Sequence, residues 1–132
     1  MKRTFIMATL VLLSTVAWSQ RVDPEVRKNT VVKQWLTRGT AAPVLDNVTT
    51  YDELGRKIEE IEYASYGQKE RITYEYEGQS DRCVRRVEYN DKNKPTKVQK
   101  IEYNADGTRK KVYNYSPKGN LKSVKTYEYS TR

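Results

Sequence analysis

Residues 101–121 read IEYNADGTRKKVYNYSPKGNL, and they contain two strand-like segments that each end at a tyrosine followed by a turn signal. In Ser116–Gly119, Pro117 suits the second position of a type I turn, and the glycine suits the left-handed residue that closes a three-residue hairpin loop. Asn104–Gly107 repeats this scheme without the proline. The stretch therefore predicts antiparallel strands joined by tight hairpins.

The same unit recurs along most of the chain with a period near thirteen residues. Tyrosines spaced 12 to 14 residues apart mark it: Tyr51, Tyr63, Tyr76, Tyr89, Tyr103, Tyr115 and Tyr129. Most of them are followed, four residues on, by a glycine or, at position 93, by an asparagine, which tolerates a positive φ better than most residues. We therefore predict that residues 48–132 form an all-β domain, a single antiparallel meander of about seven strands that is twisted or curled.

The register decides which face each side chain lies on, because a slip of one residue moves a whole strand to its other face. A three-residue loop places Asn104 opposite Thr108. Counting outward gives these cross-strand pairs: Tyr103–Arg109, Ile101–Lys111, Gln99–Tyr113, Glu102–Lys110, Tyr115–Leu121, Arg109–Tyr127 and Val112–Val124. Elsewhere, Tyr66–Gly67 suits a two-residue loop and Glu77–Arg82 a longer one. The count then predicts that one face carries Tyr51, Ile61, Tyr63, Ile72, Tyr74, Tyr76, Val87, Tyr89, Ile101, Tyr103, Tyr113, Tyr115, Leu121, Tyr127 and Tyr129.

This tyrosine-rich face has two interpretations. If it is open, phenol rings flanked by Lys and Arg form a platform for sugar rings or an extended partner, with cation–π pairs such as Tyr103 with Arg109 contributing about 0.5–1 kcal/mol each. If it is covered, it is the core. The segment before the repeat is too short to form a second layer over such a sheet. The sheet therefore curls on itself, a second copy packs against it, or a ligand covers it.

Residues 1–19 have the pattern of a secretory signal peptide, with a basic start, an apolar centre at Phe5–Val16 and a small-x-small cleavage site at Ala17–Ser19. The apolar run is shorter than the roughly 20 residues that a spanning helix needs. We expect cleavage between Ser19 and Gln20. The mature protein is then secreted, either periplasmic or extracellular, and does not span the membrane.

Residues 20–47 lie outside the repeat and are predicted to form an irregular N-terminal segment. Val31, Val32, Trp35 and Leu36 also fit helical spacing, but the β-branched residues favour extended structure there. A loop is expected at Gly39–Pro43.

The amino-acid composition excludes most common kinds of catalytic site. The chain has no histidine and one cysteine, Cys83, which excludes histidine bases, the usual nucleophile pairs and zinc sites built from His and Cys. Cys83 is interpreted as a half-buried strand residue, with a reactive thiol as the alternative. Glu60 and Glu62 share a face and could form an acid–base pair, but solvated surface charge is the favoured interpretation. We predict a non-enzymatic protein without cofactor or metal.

The net charge of the chain indicates which classes of partner to expect. There are 25 Lys and Arg against 17 Asp and Glu, a net charge of +8, or +6 once Lys2 and Arg3 are removed. Because basic residues alternate with glutamates, no nucleic-acid partner is expected. Basic residues concentrate in the C-terminal third and could bind an anionic envelope polymer, with ordinary surface charge as the alternative: Lys94, Lys97, Lys100, Arg109, Lys110, Lys111, Lys118, Lys122 and Lys125.

The Tyr-Asp-x-x-Gly-Arg unit at Tyr51–Arg56, with echoes at Tyr103–Gly107 and Tyr115–Gly119, resembles the tyrosine-aspartate repeats of bacterial Rhs-type surface proteins. Short secreted chains of this kind are also similar to domain-of-unknown-function families of gut-associated Bacteroidales, such as the one numbered 3836. The echoes replace the Asp by Asn or Ser. The resemblance implies a β-sheet shell or spacer and carries no catalytic residues.

Two functional hypotheses follow from the sequence. The first is a secreted binding module for a glycan, an envelope polymer or a protein. Its ligand would lie on the tyrosine-rich face, on Tyr74, Tyr76, Tyr89, Tyr103 and Tyr113 with Arg109 and Lys111. The second is a structural or assembly protein, such as a homodimer, that pairs through its sheet face or through an open edge strand.

Overall fold

The computed structural model describes residues 23–132. A four-residue helix, α1 (Pro24–Arg27), precedes eight strands. The strands are β1 (Val31–Leu36), β2 (Val44–Tyr51), β3 (Lys57–Ala64), β4 (Gly67–Tyr76), β5 (Cys83–Tyr89), β6 (Pro95–Tyr103), β7 (Arg109–Tyr115) and β8 (Leu121–Thr126). Each strand pairs antiparallel with its neighbours in the chain, so the sheet formed by residues 23–132 is an open meander with edges at β1 and β8. The predicted all-β meander is confirmed, with one strand more than expected.

The additional strand lies in the N-terminal segment that was predicted to be irregular. The extended structure favoured at Val31–Leu36 is confirmed, since these residues form β1. The irregular segment predicted for residues 20–47 is wrong there and at Val44, where β2 already begins. Thr30 accepts a hydrogen bond at its carbonyl from the Tyr51 amide (2.9 Å), which joins this segment to the repeat. The loop at Gly39–Pro43 is confirmed. The predicted signal peptide and its cleavage site lie outside the described residues.

The hairpin turns have the predicted chemistry. The Asn104 amide donates to the carbonyl of Thr108 (2.8 Å), and the Gly107 amide donates back to the carbonyl of Asn104 (3.0 Å). The turns that begin at Asp52, Asn90 and Ser116 show the same two bonds. The predicted left-handed residues have positive φ, 92° at Gly107 and 59° at Asn93. A two-residue loop is present but lies at residues 65–66, one position before the predicted Tyr66–Gly67, because Gly67 already pairs with Ala64. Glu77–Arg82 forms the longer loop that was expected.

A β-bulge beside each turn of the repeat changes the register that was predicted. Tyr103 pairs with Arg109 and Tyr115 with Leu121, as expected. One step further, the register skips a residue, so Glu102 lies opposite Lys111. The skipped residues are Ile58, Lys69, Val84, Thr96, Lys110 and Lys122. Each bulge places two residues of one strand opposite one residue of its partner.

The bulges make the remaining predicted pairs wrong by one position. Ile101 lies opposite Val112 and not Lys111, and Gln99 lies opposite Asn114 and not Tyr113. The predicted pairs Glu102–Lys110 and Val112–Val124 are likewise replaced by Glu102–Lys111 and Val112–Lys125. Arg109 does not pair with Tyr127, whose amide donates instead to the carbonyl of Lys110 (3.1 Å).

The hydrophobic residues therefore do not share one face. We call the face that carries Thr73, Val87 and Val98 the front face, because these three residues are paired across β4, β5 and β6. The face that carries Ile72 and its partner Glu88 is the back face. By register, Tyr63, Tyr89 and Tyr115 belong to the front face, and Tyr51, Tyr76 and Tyr103 to the back face. The repeat tyrosines alternate because successive hairpins turn at opposite ends of the sheet.

The buried core is small and lies in the middle of the C-terminal half. Among the described residues, the buried apolar side chains are Val87 (2 % exposed), Ile101 (8 %) and Val112 (4 %), and Asn114 is the buried polar one. Asn114 is satisfied by hydrogen bonds on both sides, as acceptor from Gln99 (2.7 Å) and as donor to Ser123 (3.1 Å). The described sheet is a single layer with both faces largely in solvent.

Candidate binding site

The residues predicted to bind a ligand are divided between the two faces. By register, Tyr74, Tyr76 and Tyr103 lie on the back face and Tyr89 and Tyr113 on the front face. The two cations are divided as well: Arg109 lies opposite Tyr103 of the back face, while Lys111 lies opposite Glu102, in the front-face row of β6. The structure therefore does not bring these residues together, because the sequence count omitted the bulges.

On the back face, Tyr76 is fixed by its neighbours in the preceding hairpin. Its hydroxyl donates to the main-chain carbonyl of Lys57 (2.5 Å). The Arg56 guanidinium lies over its ring at 4.9 Å and also donates to the carbonyls of Gly78 and Ser80 (2.8 and 2.9 Å). Burial raises the pKa of the Tyr76 hydroxyl to about 12. The ring and the hydroxyl of Tyr76 therefore hold two hairpins together.

The same contact repeats along this end of the sheet. The Tyr103 hydroxyl donates to the carbonyl of Cys83 (2.7 Å), and the Arg82 guanidinium lies 5.9 Å from the centre of its ring. The Tyr129 hydroxyl donates to the carbonyl of Arg109 (2.7 Å). The cation over Tyr103 is therefore Arg82 from the preceding hairpin, while Arg109 is its partner across the strand pair.

Tyr74 belongs to a polar network on the same face. Its hydroxyl donates to the Glu60 carboxylate (3.0 Å), and Lys57 and Arg86 each lie 5.9 Å from its ring centre. Burial, followed by the hydrogen bond to Glu60, raises the pKa of Tyr74. Cations from two sides therefore flank this ring.

Cations also cover the aromatic rings of the front face. Arg71 lies over the ring of Tyr89 at 4.6 Å, and Lys100 lies over Tyr115 at 5.6 Å. Tyr113 stacks beside Tyr115 with ring centres 6.4 Å apart and an interplanar angle of 22°. A flat ligand would have to displace a guanidinium or ammonium group to stack on most of these rings.

A different aromatic site lies at the β1 edge. Trp35 and Tyr63 line a groove of about 710 Å³, with an apolar wall from Leu36 and Val44 and with Arg38 among its polar lining residues. Trp35 is 57 % exposed. Within residues 23–132, neither Trp35 nor Tyr63 has a cation over its ring. This groove therefore offers aromatic surface that is free to stack against a ligand.

Sequence reasoning missed this groove because its walls come from three separate places in the chain. Trp35 stands on β1, Val44 at the start of β2, and Tyr63 at the end of β3. The available signal was Trp35 itself, a large apolar side chain in a short strand at the margin of the repeat. On an edge strand, such a residue has a neighbouring strand on one side only and stays more exposed than it would in the middle of the sheet.

The carboxylates considered for acid–base chemistry do share the back face. Glu60 and Glu62 line a small groove of about 190 Å³ together with Glu70. Lys69 pairs with Glu62 at 3.5 Å. Burial and the neighbouring charge of Glu88 raise the pKa of Glu70. The arrangement is a cross-strand cluster of acids that is partly neutralised by neighbouring cations.

Cys83 is the half-buried strand residue that was expected. Its Sγ lies 3.4 Å from the carbonyl oxygen of Arg85, and burial raises its thiol pKa. A raised pKa lowers the fraction of the nucleophilic thiolate.

Comparisons with known proteins do not assign the chain to a family. No protein-family model matches it, and no curated protein matches it significantly. In residues 23–132 there is no helix long and apolar enough to cross a membrane. The same part of the chain contains no group of three or more His, Cys, Asp and Glu side chains arranged to hold a metal ion.

Proposed function

We propose that this protein is an exported, non-enzymatic binding module that takes a glycan in the groove between Trp35 and Tyr63. The observation that carries the proposal is the uncovered indole ring of Trp35, which is 57 % exposed at the wall of the groove. The signal-peptide pattern of residues 1–19 supports export, where envelope and extracellular glycans are available ligands.

The shape and chemistry of the groove suit a sugar. A volume of about 710 Å³ lies within the roughly 300–1,000 Å³ typical of ligand sites. A sugar ring has an apolar face that packs on an aromatic ring and hydroxyl groups around its edge that need polar partners. Trp35 and Tyr63 supply the rings, while Arg38, Asp46 and Ser65 supply hydrogen-bonding groups in the same lining.

The uncovered ring of Trp35 also supports a binding role over a purely structural one. The rings of Tyr76 and Tyr103 are occupied by Arg56 and Arg82, so they stabilise the sheet. Trp35 stacks on no other aromatic ring in the described chain. Trp35 and Val44, which is 54 % exposed, lie in the same lining, and a contiguous exposed apolar patch is a common mark of an interaction site.

Calorimetric titration of the purified protein with neutral and anionic oligosaccharides, at two salt concentrations, tests the proposal. Tyr63→Ala should weaken binding at least about tenfold, the loss expected when about 1.5 kcal/mol of ring burial is removed. Tyr66→Ala is the matched control, because Tyr66 is 68 % exposed in the neighbouring turn and does not line the groove.

Equal binding by the two variants would overturn the assignment of the groove. Salt-sensitive binding of anionic polymers that survives Tyr63→Ala would point to the lysine-rich C-terminal third. If no oligosaccharide binds, the glycan proposal fails. The second candidate function, assembly through an edge strand, is favoured by the exposure of β1 and is developed below.

A further inference from the structure

The β1 edge differs from the β8 edge in how well it is protected against pairing. Val31, Val32 and Trp35 are 55 %, 46 % and 57 % exposed, and one charged residue stands among the six of the strand. β8 carries two lysines, Lys122 and Lys125, in the same length. Lysines on an edge strand are a common protection against pairing with another chain. The less protected edge is therefore β1.

Within residues 23–132, the outer side of the β1 backbone pairs with no other strand. The Tyr51 amide donates to the Thr30 carbonyl (2.9 Å), so the polar groups of Thr30 face β2. Because successive residues of a strand direct these groups to opposite sides, those of Gln34 also face β2. The N–H and C=O groups of Lys33 and Trp35 then point away from the sheet, toward solvent.

We propose that β1 is the interface of a homodimer, in which β1 pairs antiparallel with β1 of a second copy about a twofold axis at Gln34. This inference goes beyond ligand binding and does not depend on it. The axis is perpendicular to the sheet, so the front faces of both copies form one continuous surface. A pairing of this kind is closed, as in most symmetric dimers.

The sequence of β1 is self-complementary in this register. Lys33 lies opposite Trp35 of the partner subunit, and Val32 lies opposite Leu36 of the partner subunit. Each Lys33–Trp35 pair exchanges two main-chain hydrogen bonds, since both residues point their polar groups outward.

Two other pairings of the edges are less favourable. Centring the axis on Lys33 would place two lysines directly opposite each other, which is destabilising. A head-to-tail arrangement of β8 against β1 would bring Leu121 opposite Leu36 as its only fully apolar pair. The Gln34-centred dimer has two pairs of this kind, Val32 with Leu36 on each side of the axis.

Site-directed disulfide formation tests the register. In a Cys83→Ser background, Gln34→Cys should form a covalent dimer as the main product under mild oxidation. Gln34 meets its symmetry mate as a non-hydrogen-bonded pair, whose Cα separation of about 4.5 Å suits a disulfide. Lys33→Cys in the same background is the matched control and should stay monomeric in the gel.

Each other result overturns the proposal. Covalent dimers of Lys33→Cys alone would show the other register. Covalent dimers formed only when Gln34→Cys is mixed with Ser123→Cys would show head-to-tail assembly. If no variant cross-links, β1 is not an interface between copies.

A charge exchange tests the same contact without cysteine chemistry. Trp35→Lys places like charges opposite each other and should reduce the molecule to a monomer in light scattering. Adding Lys33→Glu to that variant restores opposite charges across the axis and should restore the dimer, with circular dichroism as the check that both variants fold. A monomer in both variants, or a dimer in both, contradicts the assignment.

The dimer and the glycan site can fail independently. Tyr63→Ala removes a ring of the groove and leaves the outer side of β1 intact, so it should not change cross-linking through Gln34→Cys. If the glycan proposal is wrong, cross-linking remains. If the dimer proposal is wrong, binding that responds to Tyr63→Ala remains.

Discussion

Tyrosine hydroxyls hold the back face together at one end of the sheet. Tyr76, Tyr103 and Tyr129 each donate to a main-chain carbonyl in the preceding hairpin, and arginines lie over the first two rings. A phenylalanine could fill the same space but could not make this bond. The frequency of tyrosine relative to phenylalanine in the chain, 11 to 1, is therefore explained in part by internal hydrogen bonding.

The pH dependence of stability reports on the Tyr76 contact. Its pKa is about 12 in the folded protein and about 10 in an unfolded chain. The stability that the neutral hydroxyl contributes is therefore complete below pH 10 and is lost as the pH rises toward 12. At neutral pH, Tyr76→Phe should be less stable by about 1 kcal/mol, because the carbonyl of Lys57 loses its donor.

Urea unfolding of the protein and of Tyr76→Phe at several pH values checks this expectation. The difference between the two should shrink between pH 10 and 12. Tyr74 and Tyr103 also have raised pKa values and titrate in both proteins. The charge of Tyr74 adds to the rise in the pKa of Tyr76, so its titration acts in the same direction. A constant difference across this range would contradict the role given to the Tyr76 hydroxyl.

At the level of strands and turns, the part of the fold that depends on local chemistry could be predicted. Gly107 and Asn93 mark their turns because few other residues adopt their φ values, 92° and 59°. The bulges could not be predicted, because the skipped residues share no type: Ile58 and Val84 are apolar, whereas Lys69 is charged. Because the bulges divide the tyrosines between the two faces, the predicted single tyrosine-rich face and the ligand site on it are wrong.

Strand β1 and its groove were beyond sequence reasoning for a second reason. Trp35 and Tyr63 are 28 positions apart, and their contact with one groove depends on how β1 and β2 pair. That pairing contains its own bulge, between Gln34 and Trp35, which no local signal indicates. Periodicity predicts a strand from its neighbours in sequence but cannot predict a site that forms between strands.

The turn at Gly55 has a tertiary role that the turn at Gly119 lacks. A Cβ atom at Gly55 would lie 2.5 Å from the carbonyl oxygen of Pro24 in α1, whereas one at Gly119 would meet no atom of the described residues within 4 Å. Both residues have positive φ, 76° and 90°. Alanine should therefore cost about 1–2 kcal/mol at either site from the backbone alone, and more at Gly55.

Urea unfolding of Gly55→Ala and Gly119→Ala measures this difference. We expect a lower midpoint for Gly55→Ala, because α1 must move away from the turn. Equal midpoints would show that α1 does not pack on this turn in solution.

For the molecule as a whole, stability is concentrated in the middle of the C-terminal half. Val112 is 4 % exposed on β7, while Val124 on the neighbouring strand is 42 % exposed. Val112→Ala should cost about 2 kcal/mol, because it removes buried methyl groups and leaves a gap. Val124→Ala is its matched control and should cost less than about 0.5 kcal/mol.

The free energies of unfolding of the two variants, measured in urea, test this distribution. If Val124→Ala is as costly as Val112→Ala, another surface covers β8 in solution. That result would favour an interface at the β8 edge over the one proposed at β1.

Because each strand pairs only with its neighbours in the chain, the width of the sheet is set by the number of repeats. Duplicating two successive repeats would add two strands, widen the molecule by about 10 Å at the usual strand spacing, and keep every tyrosine on its present face. Adding one repeat would reverse the direction of all later strands and exchange the faces of their tyrosines. The width of the sheet can therefore change in steps of two strands while the remaining strands keep their present packing.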